Sequence, residues 1–350
     1  MSAPALVTHL KGNKQAVTSF AFNPEGDKFV ASSLDKTLVI YALKQENTRC
    51  LKFEQSSEVL DCDWSVKNLL ASVGKNKIVN VFEPKIHKGY TETIVAHQSN
   101  IRSVHFSNSG NRFITASEDK SIKMFRLSHR YFMSSFTGHT NWVRCARFSP
   151  DNKMIASCAE DKTVKIFDAD AGNLIHTFKD EKGFGNQLRW HPDNNIIAIA
   201  QENARVKIYD LRMRKLIQYY RIFNKGVNSL DFHPSGHFMI TGSDDGLTKV
   251  LDLLEGRDIY TLKGHQDAVT AVKFSKDGEY FITGSKDRHI MIWKSNIVAS
   301  SVDNDSSIEE VTSPRVMENK ENRPEDCRNS SIIDARSSEN YLPNDDVVEL

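Results

Sequence analysis

A turn residue that recurs about every 42 residues constrains the fold more than any other feature of this sequence. The marker is an Asp or Asn between two β-rich runs, and it occurs as Asp35, Asn76, Asp119, Asp161, Asn203, Asp245 and Asp287. Six residues after each marker stands a large apolar residue: Tyr41, Phe82, Phe125, Phe167, Tyr209, Leu251 and Trp293. Copies that keep the same phase over such a period predict structural repeats that pack against one another.

One copy shows the structure of the repeat. The segment 138–168 reads GHTNWVRCARFSPDNKMIASCAEDKTVKIFD, with three β-rich runs separated by a Pro-Asp-Asn turn and an Asp-Lys turn. This pattern predicts an antiparallel meander that is too small to bury both of its faces alone. We therefore predict an all-β, seven-bladed β-propeller over residues 5–295. Its copies span about 11–53, 54–95, 96–136, 137–178, 179–220, 221–262 and 263–294, the last completed by 5–10.

The two ends of the repeat array and its less regular copies lead to separate predictions. Residues 5–10 (ALVTHL) read as a strand, and we expect it to pair with the strand around Ile290–Trp293 and close the ring. Copies two, five and six are degenerate, since Gln55, Glu181 and Phe223 stand where other copies have His. Their apolar alternation survives, so they still count as blades. Residues 296–350 are rich in Ser, Asn, Asp and Glu, which predicts a disordered tail.

Composition narrows the function classes. Residues 1–300 hold 41 basic and 32 acidic side chains, whereas residues 301–350 hold 5 and 13. The mild basicity of the first part fits a solvated surface and gives no argument for nucleic acid. No apolar run approaches the roughly 20 residues that span a bilayer, which argues against a membrane protein. Five cysteines without CxxC spacing predict reduced thiols in the cytosol or nucleus, and no metal or cofactor.

The repeat resembles the WD40 family over about residues 5–295. In that family a His, a Ser or Thr, an Asp and a Trp of one blade form a buried chain of hydrogen bonds. The resemblance implies such a chain in the seventh copy through His265, Thr283, Asp287 and Trp293. It implies shorter chains in two further copies, through His97, Thr115 and Asp119 and through His139, Ser157 and Asp161. Those two copies end in Phe125 and Phe167, which have no N–H to donate.

A Ser, a His and an Asp also invite comparison with a hydrolase triad. The set recurs at the blade period and would lie buried between strands, out of reach of a substrate. Catalysis further needs an accessible site and an oxyanion hole, and no P-loop or paired-His metal motif is present. We therefore predict no enzymatic activity and no small-molecule substrate.

Propellers of this family bind partners on the face that carries the blade-entry loops. The exposed positions there lie three and five residues after the His and one before the marker Asp. They predict a protein or peptide site on the third, fourth and fifth copies, formed by Arg102, Trp142, Arg144, Glu160, Phe184 and Asn186, with Asn100, Glu118 and Glu202 beside them. In the alternative, Trp142 packs over its loop and the arginines pair with the three glutamates.

Three segments resemble one branch of the WD40 family more closely. NWVRCARFSPDNK, AHQSNIRSVHFS and LDLLEGRDIYTLKGHQ resemble the proteome-of-centriole WD-repeat proteins. The resemblance implies a non-enzymatic scaffold at centrioles and basal bodies, with centriolar or ciliary protein partners and a role in centriole assembly, integrity or elongation and in cilium formation. It implies a place in the cytoplasm, on the cytoskeleton and at the centrosome. The C-terminal helical segment usual in that branch has no counterpart here.

Two alternatives and a tail motif remain open. Tyr209-Asp210-Leu211-Arg212 is a relaxed match to the WDxR box of cullin-type ubiquitin-ligase receptors. A nuclear WD40 scaffold fits the mild basicity. In the tail, Lys320, Glu321 and Asn322 resemble a KEN degron read by the anaphase-promoting complex, and chance is the competing explanation for so short a motif.

Overall fold

The structure, a computed structural model, describes residues 3–43, 50–84, 91–128, 131–297, 331–334 and 347–349. Within these ranges the chain forms thirty β-strands. The first twenty-eight make seven antiparallel four-stranded sheets, which are the blades of a propeller. The prediction of an all-β, seven-bladed propeller is confirmed. Among the described residues, no helix has the length and apolar character that crossing a membrane requires.

The first four blades follow one another along the chain. The first blade contains β2 (Val17–Phe22), β3 (Lys28–Ser33), β4 (Thr37–Ala42) and β5 (Cys50–Glu54). The second contains β6 (Val59–Trp64), β7 (Leu70–Gly74), β8 (Ile78–Phe82) and β9 (Thr91–Val95). The third contains β10 (Ile101–Phe106), β11 (Arg112–Ser117), β12 (Ile122–Arg126) and β13 (Phe132–Phe136). The fourth contains β14 (Val143–Phe148), β15 (Met154–Ala159), β16 (Thr163–Asp168) and β17 (Leu174–Lys179).

The last three blades continue this order, and the N-terminal strand joins the seventh. The fifth blade contains β18 (Gly185–Trp190), β19 (Ile196–Gln201), β20 (Val206–Asp210) and β21 (Lys215–Tyr220). The sixth contains β22 (Val227–Phe232), β23 (Phe238–Ser243), β24 (Leu247–Asp252) and β25 (Arg257–Lys263). The seventh contains β26 (Val269–Phe274), β27 (Tyr280–Ser285), β28 (His289–Lys294) and β1 (Ala5–Lys11).

The ring closes where the two ends of the array meet. Strand β1 pairs antiparallel with β28, from Ala5 opposite Lys294 to Lys11 opposite His289. The predicted closure by an N-terminal strand is therefore confirmed. The first strand of each blade contacts the first strand of the next, and β26 of the seventh blade contacts β2 of the first. Closure covers an outer edge that would otherwise offer unpaired backbone groups.

The apolar core lies between neighbouring blades. The seven large residues that follow the turn markers are all buried, from Leu251 at 0% exposure to Tyr41 and Tyr209 at 5%. Across the closure, Phe20 and Tyr41 of the first blade pack in one cluster with Ile282 and Ile292 of the seventh. The degenerate copies contribute to the core in the same way, because packing needs the apolar alternation and not the polar marks.

Polar side chains of some inner strands accept hydrogen bonds from backbone N–H groups of the next blade. Asp61 accepts a hydrogen bond from the backbone N–H of Val104 in the next blade at 3.1 Å, and Asp63 accepts one from Phe106 at 2.7 Å. Asp231 does the same for Phe274 at 3.0 Å. An unpaired backbone N–H away from water is costly, so these contacts satisfy the strands that face the central axis.

The C-terminal residues are described only in part. Ser331–Asp334 forms β29, which pairs parallel with β25, and Val347–Glu349 forms β30, which pairs parallel with β5. The remaining residues after 297 lie outside the described part of the chain. The prediction of a disordered tail over 296–350 therefore concerns mostly residues that are not described. The degron candidate Lys320-Glu321-Asn322 lies outside the described residues.

Candidate functional site

The seventh blade contains the complete polar chain. His265 Nδ1 lies 3.0 Å from Asp287 Oδ2, and His265 Nε2 lies 2.8 Å from Thr283 Oγ1. The indole N–H of Trp293 donates to Thr283 Oγ1 at 3.1 Å. A carboxylate only accepts, so Nδ1 carries the proton and Nε2 accepts the threonine O–H. The chain thus runs in one direction, from Trp293 through Thr283 and His265 to Asp287.

The third and fourth blades contain shorter versions of this chain. His97 lies 2.7 Å from both Asp119 and Thr115. His139 lies 2.8 Å from both Asp161 and Ser157. In place of an indole, Phe125 stacks on Phe113 with ring centroids 5.1 Å apart, and Phe167 packs edge to face on Phe136 at 5.5 Å. Each of these hydroxyls therefore receives no indole N–H.

Burial decides against a hydrolase reading of these groups. The side chains of His97, His139 and His265 are 0%, 1% and 3% exposed. Burial by itself would raise the pKa of the Asp119, Asp161 and Asp287 carboxyls. The hydrogen bonds from the facing histidines and from neighbouring turn residues outweigh it and hold each pKa well below its usual value. These residues form a structural network closed to substrates. Among the described residues, no group of three or more His, Cys, Asp or Glu could hold a metal ion.

The fifth blade has a different polar centre from the one that the repeat alignment predicts. The alignment puts Glu181 in the His place and Asn203 in the Asp place. The structure uses Asp180, which accepts from Gln201 Nε2 at 2.5 Å and pairs with Lys207. The buried side-chain atoms of Asn203 have no hydrogen-bond partner. An acidic residue next to the His place was the available signal, but only packing shows which of the two side chains turns inward.

In six of the seven blades, the residue at a β-bulge contacts the next blade. The strand register shifts at the second residue of each inner strand. These residues are spaced by 42, namely Thr18, Leu60, Arg102, Arg144, Asn186, Asn228 and Thr270. A bulge bends its strand and redirects a side chain. Repeat spacing located this position in three blades, but the bulge itself has no local sequence signal.

In the third blade the bulge residue is Arg102. Its Nε donates to Glu118 Oε1 at 2.6 Å, and Asn100 Nδ2 donates to Glu118 Oε2 at 2.8 Å. The guanidinium carbon of Arg102 lies 5.8 Å from the ring centroid of Trp142 in the fourth blade. Arg102 thus pairs within its own blade and stacks on the next. This distance is within the range of a cation–π contact.

The fourth blade repeats the arrangement one step round the ring. Arg144 pairs with Glu160 of its own blade, and its guanidinium carbon lies 5.2 Å from the ring centroid of Phe184 in the fifth blade. Asn186, the next bulge residue, donates to the backbone carbonyl of Val227 at 2.9 Å instead. We name Arg102, Glu118, Trp142, Arg144, Glu160 and Phe184 the ladder surface.

The ladder surface combines the two arrangements that the sequence left open. Arg102 and Arg144 pair with Glu118 and Glu160, as the alternative expected, but no arginine among the described residues pairs with Glu202. Trp142 does not pack away, since 40% of its surface remains exposed. The structure thus brings five of the six predicted binding residues together on adjacent blades. The sixth, Asn186, lies beside them, and its side-chain amide donates to the backbone carbonyl of Val227.

An apolar rim on the same blades escaped the sequence reading. The outer strands of the third to fifth blades expose large apolar side chains, namely Phe132, Leu174, Ile175, Leu216, Ile217 and Tyr219. Exposed apolar residues on neighbouring elements mark interaction sites. Outer strands lack a repeat mark, so only the assembled structure shows that these exposed residues lie on three consecutive blades.

In the segment that resembles a WDxR box, Asp210 stabilises a turn of the repeat. Asp210 Oδ1 accepts from the backbone N–H of Arg212 at 2.7 Å and of Met213 at 3.0 Å. Asp168 and Asp252 hold the equivalent turns of the fourth and sixth blades in the same way. Arg212 extends into solvent with 68% of its side chain exposed. The Asp is therefore a turn residue of the repeat.

The fold and its polar chains define a WD40 propeller. The family model described as "WD domain, G-beta repeat" matches residues 4–41, 89–126, 130–168, 215–252 and 256–294, together more than half of the chain. The chain belongs to this family, whose propellers act as protein-interaction scaffolds. The unmatched intervals fall on the second and fifth copies, which are two of the three degenerate ones.

Relatives with similar sequence carry the name HIR1. The chain is 27% identical to Protein HIR1 of Gibberella zeae over 147 residues, which cover 36% of this chain and 14% of that protein. It is 28% identical to Protein hir-1 of Neurospora crassa over 147 residues, 35% of this chain and 14% of that protein. The chain is also 27% identical to Protein hir1 of Schizosaccharomyces pombe over 131 residues, which cover 32% of this chain and 14% of that protein. The matched part thus spans about a seventh of each relative.

Proposed function

We propose that this chain is a non-enzymatic scaffold that captures protein partners on the ladder surface. The exposed Trp142 carries the proposal, because Arg102 holds its ring at the boundary of two blades while 40% of its surface stays open to solvent. Trp and Arg are the residue types that dominate binding energy at protein interfaces. Their fixed positions lower the entropy that a partner's binding would cost.

The setting proposed for this scaffold is the centriole and basal body. Support comes from the three segments that resemble the proteome-of-centriole proteins, two of which contain ladder residues: Arg102 in AHQSNIRSVHFS, and Trp142 with Arg144 in NWVRCARFSPDNK. A role in centriole assembly, integrity or elongation and in cilium formation follows from that resemblance. The second candidate is a nuclear WD40 scaffold, which the similarity to the HIR1 proteins favours, since none of these relatives is named for a centriole.

Partner capture is tested with Trp142→Ala/Arg144→Ala in the full chain. Proximity labelling in cells should lose the neighbours of the wild-type protein, because both the exposed ring and the group that orients Phe184 are removed. The matched control is Leu254→Ala/Arg257→Ala, which changes an exposed apolar residue and an ion-paired arginine at the opposite end of a blade. Circular dichroism should show the same fold for all three proteins. An unchanged set of neighbours in the Trp142 variant would refute the ladder surface as the binding site.

The location is decided by a fluorescent tag on the wild-type chain. Signal at spindle poles or ciliary bases supports the centriolar setting. A diffuse nuclear signal supports the second candidate and rejects the first. Neither result changes the expected effect of the Trp142 variant, because the surface does not depend on the compartment.

A further inference from the structure

Four carboxylates stand on the entry-loop face at the position directly before a turn marker, and three of them have partners. Glu118 pairs with Arg102, and Glu160 pairs with Arg144. Asp244 accepts from Asn228 Nδ2 at 2.9 Å and lies 3.5 Å from Lys286 Nζ. Glu202 is exposed, and within the described ranges no side chain donates to its carboxylate or forms an ion pair with it.

The bulge residue of the fifth blade explains the unpaired carboxylate. Glu202 holds the same backbone place as its equivalents, since its N–H bonds to the carbonyl of Phe184 at 3.2 Å, as that of Glu160 bonds to Trp142 at 2.9 Å. In the fourth blade an arginine fills the space beside the carboxylate. In the fifth blade the bulge residue is Asn186, which donates to the carbonyl of Val227 and not to Glu202, whereas the equivalent Asn228 of the sixth blade donates to both Val269 and Asp244. The guanidinium place beside Glu202 is therefore open.

The neighbouring blade leaves this place uncovered. The ring position that Trp142 and Phe184 occupy in the fourth and fifth blades is Gly226 in the sixth. A Cβ at Gly226 would lie 2.8 Å from the carbonyl oxygen of Glu202, so the backbone packs too closely there for a side chain. Backbone without a side chain thus replaces the aromatic ring. An incoming planar group can lie on this backbone while it contacts the carboxylate.

We propose that the place beside Glu202 binds an arginine side chain on an extended segment of a protein partner. The partner's arginine then continues the ladder of Arg102 and Arg144 by one step. The proposal rests on the proposed function and assigns the chemistry of its partner. A guanidinium matches a carboxylate with two parallel hydrogen bonds. The arginines already in the ladder are neutralised by Glu118 and Glu160, which limits their repulsion of an incoming positive charge.

Binding of a defined peptide tests the site directly. The probe is acetylated and amidated Gly-Gly-Arg-Gly-Gly, titrated into the full chain while the backbone amide NMR signals of Phe184, Glu202 and Gly226 are followed. The same peptide with citrulline in place of Arg has nearly the same shape without the charge. We expect shifts at these three amides with Arg and at least fivefold weaker binding with citrulline. Affinity for the Arg peptide should fall as salt rises.

Substitutions separate the site from a general charge effect. Glu202→Gln should weaken binding of the Arg peptide about tenfold, which corresponds to about 1.4 kcal/mol. Asn186→Arg should block the peptide as well, because the new arginine reaches Glu202 from its own blade. The matched control is Glu255→Gln, an exposed carboxylate paired with Arg257 at the opposite end of the sixth blade, and it should bind like the wild type.

The outcomes distinguish this proposal from the proposed function. Equal affinity for the citrulline peptide, or unchanged affinity in Glu202→Gln, overturns the arginine site. A concentration-dependent dimer that Glu202→Gln abolishes reassigns the site to a second copy of this chain and also overturns it. In either case the scaffold function stands if Trp142→Ala/Arg144→Ala still loses its neighbours in cells. If that variant keeps its neighbours while the peptide binds at Glu202, the scaffold surface is refuted and the arginine site stands.

Discussion

At the scale of single residues, Asp161 shows how one carboxylate serves a turn and a buried chain together. Its Oδ2 accepts from His139 Nδ1 at 2.8 Å and from the N–H of Thr140 at 3.0 Å. Its Oδ1 accepts from the N–H of Thr163 at 2.9 Å and from the Thr163 hydroxyl at 2.6 Å. This turn places the next residue, Lys162, at a φ of 61°. The hydrogen bonds compensate the strain of a left-handed residue that is not glycine.

The Asp161 carboxylate makes stability depend on pH. Its pKa is lowered in the folded state, because the hydrogen bonds from His139 and Thr163 outweigh the opposite effect of burial. The stabilisation is therefore complete above the unfolded pKa of about 3.9 and is lost as the pH falls below it. We expect Asp161→Asn to cost about 1.5–3 kcal/mol near pH 7 and progressively less as the pH falls below the unfolded pKa. Thermal unfolding of both proteins across this range measures it, and a constant difference would contradict the explanation.

At the scale of elements, the seam between β1 and β28 holds the two ends of the array together. His9 of β1 packs edge to face on His289 of β28, with ring centroids 4.6 Å apart. His9 is exposed on the outer strand, and its partial burial lowers its pKa to about 4, with the charges of His289, Lys11 and His265 acting in the same direction and Asp287 opposing them. Burial also lowers the pKa of His289, with Asp287 opposing and Lys11, His265 and Arg288 adding to the effect.

The seam should therefore loosen in acid. Neutral imidazoles stabilise it fully above the unfolded pKa of about 6.5, and this contribution is lost as the pH falls toward about 4. We expect amide hydrogen exchange in β1 to lose protection between pH 7 and pH 5, after correction for the intrinsic exchange rate. His9→Gln should reduce that loss, whereas His237→Gln, on an exposed residue away from the seam, should not. Equal pH dependence in the wild type and His9→Gln would rule out this pair as the cause.

At the scale of the whole molecule, a buried ion pair links blades that are not neighbours. Asp61 of the second blade lies 3.0 Å from Arg147 of the fourth, and their side chains are 7% and 6% exposed. Asp61 also accepts from the hydroxyl of Ser19 in the first blade at 2.6 Å and from the N–H of Val104 in the third at 3.1 Å. One carboxylate thus joins four consecutive blades at the central axis.

Removing the arginine should destabilise the ring as a whole. Arg147→Met leaves Asp61 charged and buried without its counter-ion, which costs about 3–5 kcal/mol. Adding Asp61→Asn should recover part of this loss, because the uncompensated charge is then gone, so the two changes should not be additive. Chemical denaturation of both single variants and the double variant measures the coupling. A loss below about 1 kcal/mol for Arg147→Met would show that the pair has little effect on stability.

The sequence predicted the seven blades and most of their buried residues because each copy carries the same pattern of turn and apolar residues. The period of 42 and the alternation of apolar residues determine seven meanders, and the buried residues from Tyr41 to Trp293 follow from position in the copy. The N-terminal strand was predictable because residues 5–10 read as a strand and because WD40 propellers often complete their last blade with such a strand. The chain of His265, Thr283, Asp287 and Trp293 follows from the family pattern, and its contacts lie within one blade.

Contacts between blades were decided only by the tertiary structure. Which ring Arg102 stacks on and which carboxylate Arg147 reaches both depend on side chains from different copies. The same holds for Asp180 in place of Glu181, since packing selects which neighbouring side chain turns inward. The residue pattern of one copy predicts which of its side chains are buried, because burial depends on which face of a strand a residue lies on. It does not predict which side chains of neighbouring blades meet, because those contacts form only when the bulged inner strands pack around the ring.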